Sequence, residues 1–128
     1  MLAINLQGSM LGVANYMGGS VKIFPLGSKG ALEEDTSKLL VYEGSGSDKD
    51  RQEAPHAHSV VFSDSGRDVY VCDLGTDRVM QYSIEEASTS WQPKDPSFLP
   101  LPAGFGPRYG SGKVDGIMCT ANWMSSLN

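Results

Sequence analysis

The sequence predicts an all-β chain made of two four-stranded antiparallel units and the start of a third. Three observations predict it. First, 15 glycines and 7 prolines in 128 residues are about one residue in six, against roughly one in eight in an ordinary globular chain, so turns are many and long helices are not expected. Second, short runs rich in β-branched and aromatic residues alternate with clusters of Gly, Ser and Asp, the pattern of strands joined by tight turns. Third, the chain repeats itself: LGVANYMGGSVKIFPL, from Leu11, lies over VYVCDLGTDRVMQYSI, from Val69, at an offset of 58 residues with no gap.

In that alignment Val13 meets Val71, Ala14 meets Cys72, Val21 meets Val79, Phe24 meets Tyr82, Leu26 meets Ile84, and the turn glycine Gly8 falls on Gly66. Each unit reads as a short first strand, a tight turn, a two-stranded hairpin, and a fourth strand after a longer loop. The expected strands, in order, are Leu2–Asn5, Leu11–Tyr16, Ser20–Leu26, Lys38–Glu43, His58–Ser63, Asp68–Leu74, Arg78–Ile84 and Phe98–Leu101. Between them stand Gln7-Gly8-Ser9, Met17-Gly18-Gly19, Asp64-Ser65-Gly66 and Gly75-Thr76-Asp77. Glycine supplies positive φ in such turns, and Asp or Ser closes a local hydrogen bond. Only Leu32 to Lys38 and Ile84 to Ser88 pass as short helical stretches, and neither carries a helical apolar period.

Four antiparallel strands repeated along a chain form the blade pattern of a β-propeller, whose period is usually about 40–50 residues. The longer period here comes from a polar insertion, GSGSDKDRQEAPHAH, between Glu43 and His58. The expected organisation is a blade at 1–44, an inserted loop at 45–57, a blade at 58–102 and an incomplete blade at 103–128. In the last, Asp115-Gly116 takes the place of the first-strand turn, and ANWMSS from Ala121 echoes ANYMGGS from Ala14. Two blades and part of a third cannot close a ring, and ring closure is what hides sheet edges. The expectation is a truncated form of a longer product, or a ring completed by other chains, with self-association through bare blade edges.

The formal net charge is −5. Sequence-independent nucleic-acid binding needs clustered Lys and Arg, and a polybasic membrane anchor needs the same, so both partners are excluded. No apolar run reaches the length of a membrane span. The opening MLAINLQGSMLGVANY lacks the basic region of a signal peptide. Cys72 and Cys119 do not make a disulfide framework and sit among apolar or small residues, so buried thiols in a reducing, cytoplasmic compartment are expected.

Two segments carry residue types suited to chemistry. RQEAPHAH, from Arg51, holds both histidines, and His56 and His58, two apart on an extended segment, share a face. Such a pair suits acid–base work or a metal. For a metal, Glu53 is the only nearby third ligand, and the cysteines are not in zinc spacing, so no metal is expected; the bland reading packs one ring and exposes the other. GFGPR, from Gly104, offers glycines that let backbone approach a ligand and an Arg108 fork for carboxylate or phosphate, or else a solvated arginine in an ordinary loop. The nearby Gly110-Ser111-Gly112-Lys113 departs from a phosphate loop, with Pro107 where the first glycine belongs and Val114 after the lysine. Tyr109 to Lys113 makes a poor strand. Asp73-Leu74-Gly75-Thr76-Asp77-Arg78-Val79 reads as a hairpin turn, and no G-x-S-x-G elbow of a serine hydrolase is present.

ANYMGGSVKIFPL, RQEAPHAHSVVFSDSGRDVYVCDLGTDRVMQYSI and GFGPR together resemble the lactonase family of seven-bladed β-propellers, which includes propeller-type 6-phosphogluconolactonases and, as relatives, the carboxy-cis,cis-muconate cyclases. The resemblance spans Met1 to Arg108. It implies a cofactor-free, metal-free hydrolase acting on a small sugar lactone, 6-phosphogluconolactone in the pentose phosphate pathway. It implies His58 and Arg108 as site residues, with Arg51, Glu53 and His56 in the adjoining loop. Of these, His58 or Glu53 suits a general base, Arg108 an oxyanion, and Arg51 a substrate phosphate. Asp73 and Asp77 match family positions of structural character. Two departures stand out: Tyr109 follows GPR where the family usually has His, and near Trp123 the family commonly has a Glu that this chain lacks. A catalytically incomplete fragment and a lactone-forming cyclase relative are the alternative readings.

Overall fold

Strands form where branched and aromatic residues alternate with small or polar ones, and turns form at the glycines between them. The computed structural model describes residues 1–85, 90–113 and 116–121. Strands β1 (Leu2–Ile4), β2 (Met10–Asn15), β3 (Ser20–Pro25) and β4 (Lys38–Val41) form one antiparallel sheet in that order. Strands β5 (Ala57–Phe62), β6 (Asp68–Asp73), β7 (Arg78–Glu85) and β8 (Ser90–Pro100) form a second. An antiparallel pair, β9 (Pro107–Lys113) and β10 (Gly116–Ala121), follows. The one short helix among the described residues is a 3-10 turn at Ser28–Gly30.

The 58-residue repeat is exact in the backbone. Met10 pairs with Pro25 and Asn15 with Ser20, as Asp68 pairs with Ser83 and Asp73 with Arg78. Gly8 (φ +70°) and Gly66 (φ +73°) occupy the same left-handed position, and so do Gly19 (φ +60°) and Asp77 (φ +55°).

The two sheets pack face to face. Met10, Ala14, Val21 and Ile23 of the first are buried against Val60, Val69, Val71, Met80, Tyr82, Ile84 and Trp91 of the second. Gly12 permits the close approach, since a Cβ there would stand 2.8 Å from Val60 Cγ1. Tyr42, just beyond β4, shares a 2.8 Å hydroxyl hydrogen bond with Tyr82 of β7. Burial first, and the Tyr82 phenol next, push the Tyr42 hydroxyl well above its ordinary value. The second sheet's other face buries Tyr70, Cys72 and Val79, and β9 lies against β5 and β6.

Two expectations are corrected. The fourth strand of the second sheet does not wait for Phe98: β8 starts at Ser90 and runs through Pro93 and Pro96. Proline cannot donate to a ladder, but an outermost strand needs partners on one side only. β8 also breaks register, so that Tyr82 faces Pro93 while Met80 faces Phe98, and Gln81 Nε2 donates to the Pro96 carbonyl across the bulge at 2.7 Å. Second, the glycine-rich stretch from Tyr109 to Lys113 is a strand, with Gly110 opposite Cys119 and Gly112 opposite Ile117. Pairing within a hairpin supplies what side-chain propensity lacks. Cys72 is a buried thiol that forms no disulfide among the described residues. The side chain of Cys119, the turn at Asp115 and the ANWMSS echo from Asn122 onward lie outside the described residues.

Candidate functional site

The site lies at the ends of β5 and β9. His58 is the second residue of β5 and Arg108 the second of β9. Both are half-buried, and the Arg108 Nε–H donates to His58 Nε2 at 3.3 Å. Accepting at Nε2 puts the neutral ring's proton on Nδ1. That Nδ1 is buried and has no hydrogen-bond partner among the described residues. Burial first, and the Arg108 charge second, hold the His58 imidazole below its ordinary 6.5. The shift favours the uncharged form of the ring.

His56 lies deeper. It stands just before β5, is 4% exposed, and uses both ring nitrogens inside the protein: Nδ1 with the Tyr16 carbonyl at 2.9 Å and Nε2 with Glu53 Oε1 at 2.8 Å. Its backbone N–H donates to Asp73 Oδ1 at 2.8 Å. Glu53 is half-exposed, and hydrogen bonds from its own backbone N–H first, and the His56 ring next, hold its carboxyl below the usual carboxylate range. Arg51 is exposed; its backbone N–H donates to Asp48 Oδ1 at 3.2 Å, and its guanidinium has no hydrogen bond or ion pair among the described residues. The structure thus brings His58 to Arg108 and His56 to Glu53, and leaves Arg51 apart.

Tyr16 joins the two pairs. Its ring stacks on His56 with centroids 4.3 Å apart and an interplanar angle of 11°, and meets His58 edge to face at 5.8 Å. Tyr109 makes a second edge-to-face contact with His58 at 4.9 Å, and its ring lies 5.8 Å from the Arg108 guanidinium. Sequence reasoning singled out neither tyrosine for the site. At the 58-residue offset Tyr16 falls on Leu74, but Gly12 on Tyr70 and Lys22 on Met80 differ as much, so the repeat gives no distinct signal for it.

Two buried carboxylates hold these segments. Asp73 Oδ1 accepts from the N–H groups of His56 (2.8 Å) and Gly75 (3.0 Å), and Oδ2 from the Thr76 hydroxyl (2.8 Å). Asp77 Oδ1 accepts from Gln52 Nε2 (2.7 Å) and the Gly106 N–H (2.8 Å), and Oδ2 from the Gly104 N–H (2.8 Å). The glycines of GFGPR, expected to approach a ligand, aim their N–H groups at Asp77 instead. Gln52 was also missed. It is fully buried and donates in addition to the Leu74 carbonyl at 2.8 Å. Among the described residues no group of three His, Cys, Asp or Glu is placed to hold a metal ion, and no helix is long and apolar enough to cross a membrane.

A neutral imidazole beside a guanidinium suits attack by water on a polarised carbonyl. Known proteins share this arrangement of sheets. The family described as lactonase, 7-bladed beta-propeller matches residues 1–116. A 6-phosphogluconolactonase of Bacillus subtilis is 31% identical over 108 residues, which are 84% of this chain and 29% of that protein. A solved structure from Bacteroides fragilis superposes with a TM-score of 0.80 at 31% identity, over 94% of this chain and 35% of that one. The periplasmic gluconolactonase of Pseudomonas aeruginosa gives 0.74 at 33% identity, over 94% of this chain and 34% of that one. The chain spans about a third of the length of the relatives it matches. On the family match and these likenesses, the chain belongs to the lactonase family of seven-bladed β-propellers.

Proposed function

We propose that this chain carries the hydrolytic site of a lactonase of the 6-phosphogluconolactonase type, with His58 as general base and Arg108 as the oxyanion-binding group. The observation that carries the reading is the 3.3 Å contact between Arg108 Nε and His58 Nε2, set in a chain whose relatives bear that name.

At rest the Arg108 N–H occupies the His58 Nε2 lone pair. A lactone carbonyl oxygen entering the site takes over that donor, which polarises the carbonyl and frees Nε2. His58 then removes a proton from water as the water oxygen bonds to the carbonyl carbon. Arg108 stabilises the oxyanion of the tetrahedral intermediate. As the intermediate collapses, the ring C–O bond breaks and the departing alkoxide takes the proton back from His58. The products balance as one lactone plus one water to one hydroxy acid.

Tyr16 and Tyr109 flank the imidazole and contribute to the partial burial that lowers its basicity. Glu53, half-exposed beside His56, is the second group available as a base, and Arg51, on the exposed loop, is the cation available to a substrate phosphate. His56, with both ring nitrogens engaged, serves by holding Tyr16 and Glu53. The reading places the chemistry in the pentose phosphate pathway, and the buried Cys72 thiol fits a reducing, cytoplasmic compartment, although one relative is periplasmic by name.

The test is hydrolysis of 6-phosphogluconolactone by the purified chain, corrected for spontaneous ring opening and run beside Arg108→Ala. Catalysed hydrolysis that the substitution reduces supports the reading. A rate equal to the uncatalysed background favours the catalytically incomplete form, consistent with a chain about a third as long as its relatives.

A further inference from the structure

We propose that Asp77 is a positioning residue: its carboxylate sets Arg108 against His58. The residue sits at the end of the β6–β7 turn with φ +55°. The equivalent turn of the first sheet has Gly19 there at φ +60°. Glycine adopts that conformation freely, and aspartate only tolerates it. The first-sheet turn forms without a carboxylate, so the turn itself does not require one. Asp77 is nonetheless 6% exposed, and a buried charge is costly unless it is well hydrogen-bonded.

Its bonds show where that cost is offset. All three side-chain bonds go to groups 25 to 29 residues away, at Gln52, Gly104 and Gly106. Gly104 and Gly106 both take left-handed φ values, +78° and +59°, which turns both N–H groups onto the one carboxylate. The Asp77 carbonyl also accepts from the Leu101 N–H at 2.9 Å. The segment entering β9 is therefore fastened two and four residues before Arg108. Through Gln52 the same carboxylate holds the other loop one residue before Glu53. One side chain thus sets the relative position of both segments that carry the site.

The inference rests for its functional meaning on the lactonase reading, but its test needs no turnover. The His58 imidazole reports the place of Arg108, because the guanidinium and burial together depress its titration. The charged groups acting on that ring are Arg108 and, more weakly, the N-terminal ammonium, and its flanks are the Tyr16 and Tyr109 rings. The experiment is an NMR pH titration of His58 in the full chain, in Arg108→Gln, in Asp77→Gly and in Asp77→Asn. Arg108→Gln raises the His58 midpoint. Asp77→Gly, which suits the backbone conformation, is expected to raise it by at least half as much, with the amide pattern of the β6–β7 hairpin retained. Asp77→Asn, which keeps one acceptor but turns an N–H2 toward donors, falls between.

A folded Asp77→Gly whose His58 titrates with the unsubstituted chain overturns the proposal. An Arg108→Gln midpoint that does not move shows instead that the pair itself is absent, which overturns the lactonase site as well. One measurement needs no variant: the Gly104 and Gly106 amide protons of the unsubstituted chain are expected to be protected from exchange, and unprotected amides would also overturn the proposal.

Discussion

His58 and Arg108 face each other as acceptor and donor, and the polarity of that contact sets how the site responds to pH. Burial and the neighbouring guanidinium both penalise the charged imidazole. The acid limb of kcat/KM is therefore expected below pH 6.5. Arg108→Ala should move that limb upward only part of the way, because burial, the larger cause, remains. The same substitution should lower kcat/KM by about 10²-fold, the usual loss for one oxyanion-stabilising donor; steady-state rates across pH check both. Stability follows the same sign. Well above pH 6.5 neither the folded nor the unfolded chain protonates His58. Below it the unfolded chain takes up a proton that the folded chain resists, so unfolding free energy falls with pH until the folded midpoint is passed. Glu53, depressed below its ordinary 4.5, removes further stability in the acid range below that value. Urea titrations at pH 7.5, 6 and 4 should show declining midpoints, and a midpoint unchanged between pH 7.5 and 6 would contradict the His58 assignment.

At the scale of the element, the β6–β7 turn is more than a reversal of the chain. A Cβ on Gly75 would collide with the Ala54 carbonyl oxygen and stand 2.8 Å from the His56 N–H nitrogen. Both neighbours are backbone, which cannot step aside as a side-chain tip can. Gly75→Ala is therefore expected to destabilise the chain by about 1–3 kcal/mol, the range for overpacking a close contact, and to disturb His56 before the sheets. Chemical denaturation paired with NMR of the histidine rings separates the two effects. The contact between the sheets makes a milder prediction. Tyr82→Phe removes one partner of the Tyr42 hydroxyl and should cost about 1–2 kcal/mol, measured by denaturant midpoint; an equal loss in Tyr42→Phe and in the double variant would show that the pair acts as one unit.

For the molecule as a whole, the unbalanced feature is the outer face of the first sheet. Its inner face is buried on the second sheet, but Leu2 (65% exposed), Ile4 (62%), Leu39 (58%) and Val41 (65%) stand open on the other side. The 58-residue offset explains their chemistry. Leu11 and Val13 on that face correspond to Val69 and Val71, which are buried against the first sheet. The open face is thus the same kind of surface as one that is covered elsewhere in the chain, and β4 leaves a strand edge beside it. Exposed apolar faces and bare edges promote association. The isolated chain is expected to self-associate in sedimentation experiments, and Val41→Lys with Leu39→Lys should shift it toward monomer. A clean monomer with a sharp, cooperative thermal transition in the unsubstituted chain would contradict this.

Local rules by themselves determined the repeat, the two four-stranded sheets and most of the turns. Alternation of apolar residues, and glycines where φ must be positive, act over a few neighbours and can be read along the chain. The same local reading missed the first part of β8, residues 90–97, and all of β9. A proline-bearing edge strand and a glycine-bearing strand are stabilised by the partner they pair with, and that partner is not written in their own residues. The pairing of His58 with Arg108 was suggested by family resemblance; its donor, its acceptor and the lowered basicity of the ring come from the meeting of β5 and β9. Asp77 shows the division most plainly. Sequence marked it as a turn residue, and its backbone is one. Only the tertiary structure brings Gln52, Gly104 and Gly106 to its carboxylate, because hydrogen bonds between groups 25 to 29 residues apart depend on where the sheets set their loops.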